Sequence, residues 1–291
     1  MGLGNVLYKG FQQVKAGVEA IPGAHKAYKW VTTRTGEGKV YEITRGPMAG
    51  MRWRRRNSLP FWYHLGIYEP ETSHFLARHL RPGDTFWDLG ANAGYHTLMA
   101  ARAVGPTGKV IAVEPDPNTC RILREQLDLN GIGHCTIVQA AVSDRPGQSI
   151  LIQRASDPRG NALQQIDNPA IDNKVGNAVE VPCLTMDDLA ARFPRPRLIK
   201  MDIEGAEVLA LPGGRKLLTG PERPERLLVA VHGDAARDFC RDFLNEVGYE
   251  LEVASDLDAH SVLAVDPAAR NRSGQGRTQS QVDAGLVASG A

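Results

Sequence analysis

The stretch FWDLGANAGYHT, residues 86–97, joins a short apolar run to an acid and then to two glycines four residues apart. Gly90 and Gly94 would let backbone approach a ligand closely, as in strand-to-helix turns that hold nucleotides. Asp88, however, stands at the mouth of that turn. A carboxylate a few ångströms from a pyrophosphate is repulsive by about a kcal/mol or more. The dinucleotide fingerprint G-x-G-x-x-G also fails, because counting from Gly90 its glycines would fall on Asn92 and Tyr95. A cationic ligand without phosphate satisfies both observations. S-adenosylmethionine (SAM), with its ammonium and sulfonium, is such a ligand, and the turn is expected to hold it with Asp88 beside its charged end. An NAD-dependent oxidoreductase is disfavoured on the same two grounds.

Three more stretches carry chemistry. AVEP ends an apolar run with Glu114, where an acid can accept hydrogen bonds from both ribose hydroxyls, and Pro115 follows. In QAAVSD, Ala141 and Val142 make a flat slot for an adenine, with Ser143 or Asp144 in reach of its exocyclic amine. LIKMDIEGAE puts Lys200 and Asp202 on one face of a strand, followed by Glu204 and Glu207. A central parallel strand is normally apolar on both faces, and buried charges are costly unless paired. Lys200 therefore reads equally as an ion-pair partner of Asp202 or Glu204 and as a catalytic group. Asp202, at the strand end, is the better placed to meet a transferable methyl. LLVAVH closes with His232, a general base for an acceptor hydroxyl. Asp202, Glu204 and His232 alternatively suit magnesium or manganese, although their spacing does not require a metal.

These residues need a scaffold, and from Pro82 onward the pattern supplies one. TFWDL, KVIAVE, TIVQAAV, RLIKMDI and RLLVAVH read as apolar strands, separated by amphipathic helical stretches such as NTCRILREQLDLN. That alternation predicts an α/β fold, a parallel sheet with helices on both faces. YELEVAS and SVLAV read as a closing antiparallel pair. Residues 143–177 interrupt the rhythm, with one strand at SILIQ and another at AVEVPCL before the capped helix TMDDLAARF. The expected organisation is an N-terminal substrate-side extension over 1–80, with a short amphipathic helix near 6–21. A catalytic domain follows over 81–266, then an unstructured tail over 267–291.

Composition narrows the classes. A formal charge of +1 gives the chain no field to draw in nucleic acid, apart from the run MRWRRRN. That run, Arg52, Arg54, Arg55 and Arg56 with Trp53 to stack, supports an RNA methyltransferase as an alternative. Four scattered cysteines argue against a zinc site or disulfide framework, and no apolar stretch is long enough to span a bilayer. A cytoplasmic protein is expected; oligomeric state is left open.

The segments YEPE, GDTFWDLGANAGYHT, VIAVEPDP, LNG, AAVSD, LTMDDL and IKMDIEGAEVLAL, in this order, resemble the FkbM family of SAM-dependent methyltransferases over about residues 66–232. The resemblance implies a class I methyltransferase fold, a seven-stranded Rossmann-like sheet whose last strand is antiparallel. It also implies methyl transfer to oxygen on a sugar or secondary metabolite, with a small-molecule or glycan acceptor. By it Asp88, Gly90, Asn92, Gly94 and Glu114 would hold SAM, and Lys200, Asp202, Glu204 and Glu207 would shape the site. Taken with the readings above, the expected SAM-binding set also includes Ala91, Pro115, Ala141, Val142 and Asp202, and the expected catalytic set is His232, Asp202, Lys200 and Glu204. One departure stands out: the family often has Glu two residues before the histidine matching His232, and here that residue is Ala230. A non-catalytic SAM-fold protein is the reading that this departure would favour.

Overall fold

The computed structural model describes residues 36–59, 61–153, 161–164, 177–252, 257 and 260–269. The helix expected near 6–21 and nearly all of the tail expected from 267 lie outside the described residues. Strands β1 (Val40–Glu42) and β2 (Arg52–Arg54) pair antiparallel, and a 3₁₀ turn (Phe61–Leu65) leads into helix α1 (Pro70–His79). Then β3 (Thr85–Leu89), α2 (Tyr95–Val104), β4 (Lys109–Val113), α3 (Pro117–Leu129) and β5 (Cys135–Val138) alternate. Four strands follow: β6 (Ala141–Val142), β7 (Gly147–Gln153), β8 (Ala162–Leu163) and β9 (Asn177–Leu184). The chain continues through α4 (Met186–Arg192), β10 (Leu198–Met201), α5 (Glu207–Ala210) and α6 (Arg215–Thr219). It finishes with β11 (Arg226–Ala230), α7 (Asp234–Glu246), β12 (Glu250–Glu252) and β13 (Ser261–Val265).

Seven strands form one sheet in the order β12-β13-β11-β10-β3-β4-β5. β13 runs antiparallel to both neighbours, while β11, β10, β3, β4 and β5 are parallel. This is the mainly parallel sheet with an antiparallel last strand that the class I methyltransferase fold implies. Its order reverses between β3 and β10, and at such a switch point the chain leaves in opposite directions, opening a crevice at the carboxyl ends.

The short apolar runs become strands because both faces of the sheet are covered. Phe86 belongs to the core under α2, while Trp87 and Leu89 belong to the core on the opposite face. Full burial of each such side chain contributes on the order of 1.5–3 kcal/mol. Residues from the N-terminal region, including Met48, Trp53 and Tyr63, share the α2-side core with the sheet.

One expected strand is divided. TIVQAAV leaves the large sheet after Val138, and Ala141 and Val142 pair instead with Cys183 and Leu184 of β9. β9 and β7 make the long antiparallel ladder of a second, four-stranded sheet, with β8 at its edge. The helix TMDDLAARF forms as expected: Thr185 accepts from the Asp188 N–H at 2.9 Å while the Asp188 carboxylate accepts from the Thr185 N–H at 3.0 Å.

Candidate active site

At the switch point the turn after β3 touches the end of β10. Gly90 has φ +80°, and a Cβ there would lie 1.9 Å from the Asp202 backbone oxygen, so no other residue fits. Two residues on, Asn92 adopts φ +48° and its N–H donates to Glu114 Oε2 at 2.9 Å. Glu114 also accepts from the Asp116 N–H at 2.9 Å. Burial pushes its carboxyl up to about 7, against those two hydrogen bonds.

A cleft of about 530 Å³, its open mouth included, lies above these strand ends. Glu114 and Pro115 line one side, and Ala141, Val142, Leu151 and Leu163 supply an apolar wall from the second sheet. Asp116 pins that sheet in place. Its Oδ1 caps α3 by accepting from the Asn118 and Thr119 N–H groups, and its Oδ2 accepts from Gln153 Nε2 at 2.8 Å and Asn161 Nδ2 at 2.9 Å. Ser143 and Asp144 do not line the cleft; the Ser143 hydroxyl donates to Asp144 at 3.1 Å.

A second lobe of about 430 Å³ adjoins the first and shares Gly90, Asn92, Asp202 and Glu204 with it. Its remaining walls include Tyr63, Tyr68, Tyr95, His96, Lys200 and Ala91. The three tyrosines meet edge-on or tilted, with ring centroids 4.3–5.3 Å apart. His96 is nearly enclosed, with Nε2 3.4 Å from Ser73 Oγ and 3.9 Å from Glu69 Oε2. Burial, with the charge of Lys200 added, holds its imidazole neutral, well below the usual histidine range.

Asp88 lies deeper than its place at the mouth of the turn suggests. It is fully buried beneath the turn and lines neither lobe. Register places it opposite Lys200 in the neighbouring strand. Thr97 donates to its Oδ2 at 2.7 Å, and Lys200 Nζ stands 3.4 Å from its Oδ1. The carboxylate therefore balances the charge of Lys200. Gly94, at φ +92°, lets α2 pass α3, since a Cβ would lie 2.2 Å from Leu123 Cδ1, and it too lines neither lobe.

Lys200, though buried, is held charged by Asp88 and by Asp202, whose Oδ2 is 3.6 Å away. Burial alone would depress its pKa; the carboxylates reverse that and raise it. The attraction across 3.4 Å is about 5 kcal/mol at an effective protein dielectric, before the cost of desolvating both groups.

His232 lies two residues past β11 and lines neither lobe. Its Nδ1 is 3.1 Å from Glu207 Oε1, and its Nε2 is 3.7 Å from Asp202 Oδ1 and 3.6 Å from Glu204 Oε2. Burial works to lower its pKa, but the hydrogen bond that Nδ1–H donates to Glu207 and the three carboxylate charges lift it to about 9. The surrounding carboxylates thus favour a cation at this position, whether the imidazolium or another positive group. His96 is the residue the sequence reading passed over, although it stands in the first stretch quoted, one residue into the helix that the glycine turn opens.

Much of the basic run is tied down by contacts within the chain. The Arg52 and Arg54 backbone N–H groups donate to Asn130 and Gln126 of the α3 end, and Arg56 pairs with Glu37 and Glu125. Arg55 and Trp53 are almost fully buried. Arg52 stays exposed, and Arg54 and Arg56 are partly so. Among the described residues no helix is long and apolar enough to cross a membrane.

A family model described as the methyltransferase FkbM domain matches residues 88–251. The hexuronic acid methyltransferase AglP of Haloferax volcanii is 21% identical over 187 residues, 63% of this chain and 72% of that protein. The ribosomal protein L11 methyltransferase of Pelotomaculum thermopropionicum is 34% identical over 71 residues, so the chain spans 22% of that relative's length. Among solved structures, the methyltransferase FkbM of Methylobacillus flagellatus is 17% identical with a TM-score of 0.44, over 70% of this chain and 52% of that one.

Proposed function

Because the chain belongs to the FkbM methyltransferase family, we propose that it transfers the methyl group of SAM to a hydroxyl oxygen of a sugar or sugar-like metabolite. The observation that carries this reading is the pair of joined lobes at the switch point, one with an acid beside an apolar slot that suits a nucleoside and the other walled by tyrosines that suit a sugar ring. The donor set suits SAM. Glu114 offers carboxylate oxygens to the ribose hydroxyls, and Ala141, Val142 and Leu163 offer a thin apolar slot to the adenine. Lys200 and Asp202 present opposite charges to the carboxylate and ammonium of the amino-acid end.

SAM brings a methyl group already activated by its sulfonium, which leaves to the acceptor oxygen by in-line displacement. The protein's task is to align the acceptor, exclude water and remove one proton. Tyr63, Tyr68 and Tyr95 provide flat amphipathic walls against which a sugar ring packs. His96 lines the same lobe, and Glu69, 3.9 Å from its Nε2, offsets the cost of an imidazolium there, so that the ring takes up the hydroxyl proton as the sulfonium charge is lost. Likeness to AglP, whose name gives hexuronic acid as its substrate, supports a sugar acceptor.

Incubation of the purified chain with SAM and a small-molecule and glycan extract tests the proposal. A product heavier by one CH₂, detected by mass spectrometry with stoichiometric S-adenosylhomocysteine, is expected. Calorimetric SAM binding without any methylated product across such extracts would instead mark a non-catalytic binding protein.

A further inference from the structure

Asp202, Glu204 and His232 come from the end of β10, the following turn and the loop after β11, and one donor atom of each lies within 4.8 Å of the others. We propose that these three side chains hold a divalent cation of the magnesium–manganese class at the junction of the two lobes. The inference rests on the methyltransferase reading for its role, and on geometry alone for the site.

The separations are the first ground. His232 Nε2 stands 3.7 Å from Asp202 Oδ1 and 3.6 Å from Glu204 Oε2, too far for hydrogen bonds. Donors that converge without touching leave a gap for an ion about 2.1 Å from each. The back of the imidazole is the second. Nδ1 is fixed by Glu207, which is completely buried, and Glu207 Oε2 has no hydrogen-bond partner. A carboxylate behind a histidine fixes the ring and turns its other nitrogen toward a metal, an arrangement that recurs at metal centres. Charge is the third. Asp202, Glu204 and Glu207 face the imidazole, and among the described residues Lys200 is the cation set against Asp202 from the other side, already shared with Asp88. Glu204 reaches the cluster from φ +55°, a conformation that a non-glycine residue seldom takes.

Two carboxylates and one imidazole suit manganese or magnesium better than a thiolate-seeking ion. Asp202 and Glu204 also line both lobes, so the remaining coordination positions open onto the acceptor. An acceptor oxygen bound there would be oriented and acidified, easing proton transfer to His96.

The test is manganese binding to the full chain after chelation and dialysis, followed by electron paramagnetic resonance with magnesium as competitor. One saturable Mn²⁺ per chain is expected, lost in His232→Ala and Glu204→Gln and weakened about 10–100-fold in Glu207→Gln. Circular dichroism checks that each variant is folded, and SAM calorimetry runs in parallel. A folded chain that binds SAM but no Mn²⁺, or Mn²⁺ with undiminished affinity in all three variants, overturns the metal site and leaves the donor reading standing. Mn²⁺ bound as expected by a chain that ignores SAM supports the site and overturns the donor reading.

Discussion

At the scale of single residues, environment decides which acid and which histidine can work. Glu114 is enclosed and carries a carboxyl lifted to about 7 from an ordinary 4.5. In the ligand-free protein the neutral carboxyl is favoured, so its contribution to stability is full below about 4.5 and lost as pH rises through about 7. A ribose donating hydrogen bonds prefers the carboxylate. SAM binding should therefore release a proton and weaken as pH falls below about 7, by up to about tenfold per unit. Calorimetry in buffers of differing ionisation enthalpy measures this, and Glu114→Gln should abolish the pH dependence while lowering affinity. His96→Gln should cut turnover by about 10²–10⁴-fold with SAM affinity nearly unchanged, which single-turnover assays beside calorimetry would separate. Asp88→Asn should act mainly on stability, because it leaves Lys200 buried with one partner fewer. A loss of about 3–5 kcal/mol is expected from urea unfolding. Asp88 was legible as an unusual residue, but its sequence position alone carries no information about depth. Register with Lys200 put it under the turn instead of in it.

Elements set how closely those residues approach. The glycine turn has two different needs hidden in one motif. Gly90 makes room for the backbone of β10, and Gly94 makes room for Leu123 of α3. Gly90→Ala should destabilise the protein by on the order of 2–4 kcal/mol, since a backbone atom cannot yield as a side chain does. Gly131, also at positive φ but with nothing within 4 Å of a Cβ, should lose only about 1 kcal/mol on the same change. Urea titration of the two variants side by side checks the difference. The strands, the capped helix and the antiparallel finish were readable because each depends on local period and capping chemistry. The division of TIVQAAV between two sheets was not, because both halves are equally apolar and only a partner strand distinguishes them.

Across the whole molecule, the cleft exists because two sheets are held at a fixed distance. Asp116 joins them, capping α3 with one oxygen and holding Gln153 and Asn161 with the other. Asp116→Ala should therefore cost both about 1 kcal/mol of helix capping and roughly tenfold in SAM affinity, a coupling that a cap alone would not produce. The basic run likewise works at this scale, with Arg52, Arg54 and Arg56 fastening β2 and its flank to α3 and the 37–38 turn. By itself the sequence determined the alternation of strands and helices, the turn that approaches a ligand and the acid at the next strand end. Each of these is a matter of residue type at short spacing. Only the tertiary structure decided which charges face the cleft, because Asp88 and Lys200 neutralise each other across a strand pair 112 residues apart in the chain. It also gathered His232 with three carboxylates and left His96 neutral beside the tyrosines. Protonation follows from burial and from neighbours brought in from distant segments, and neither is written in local order.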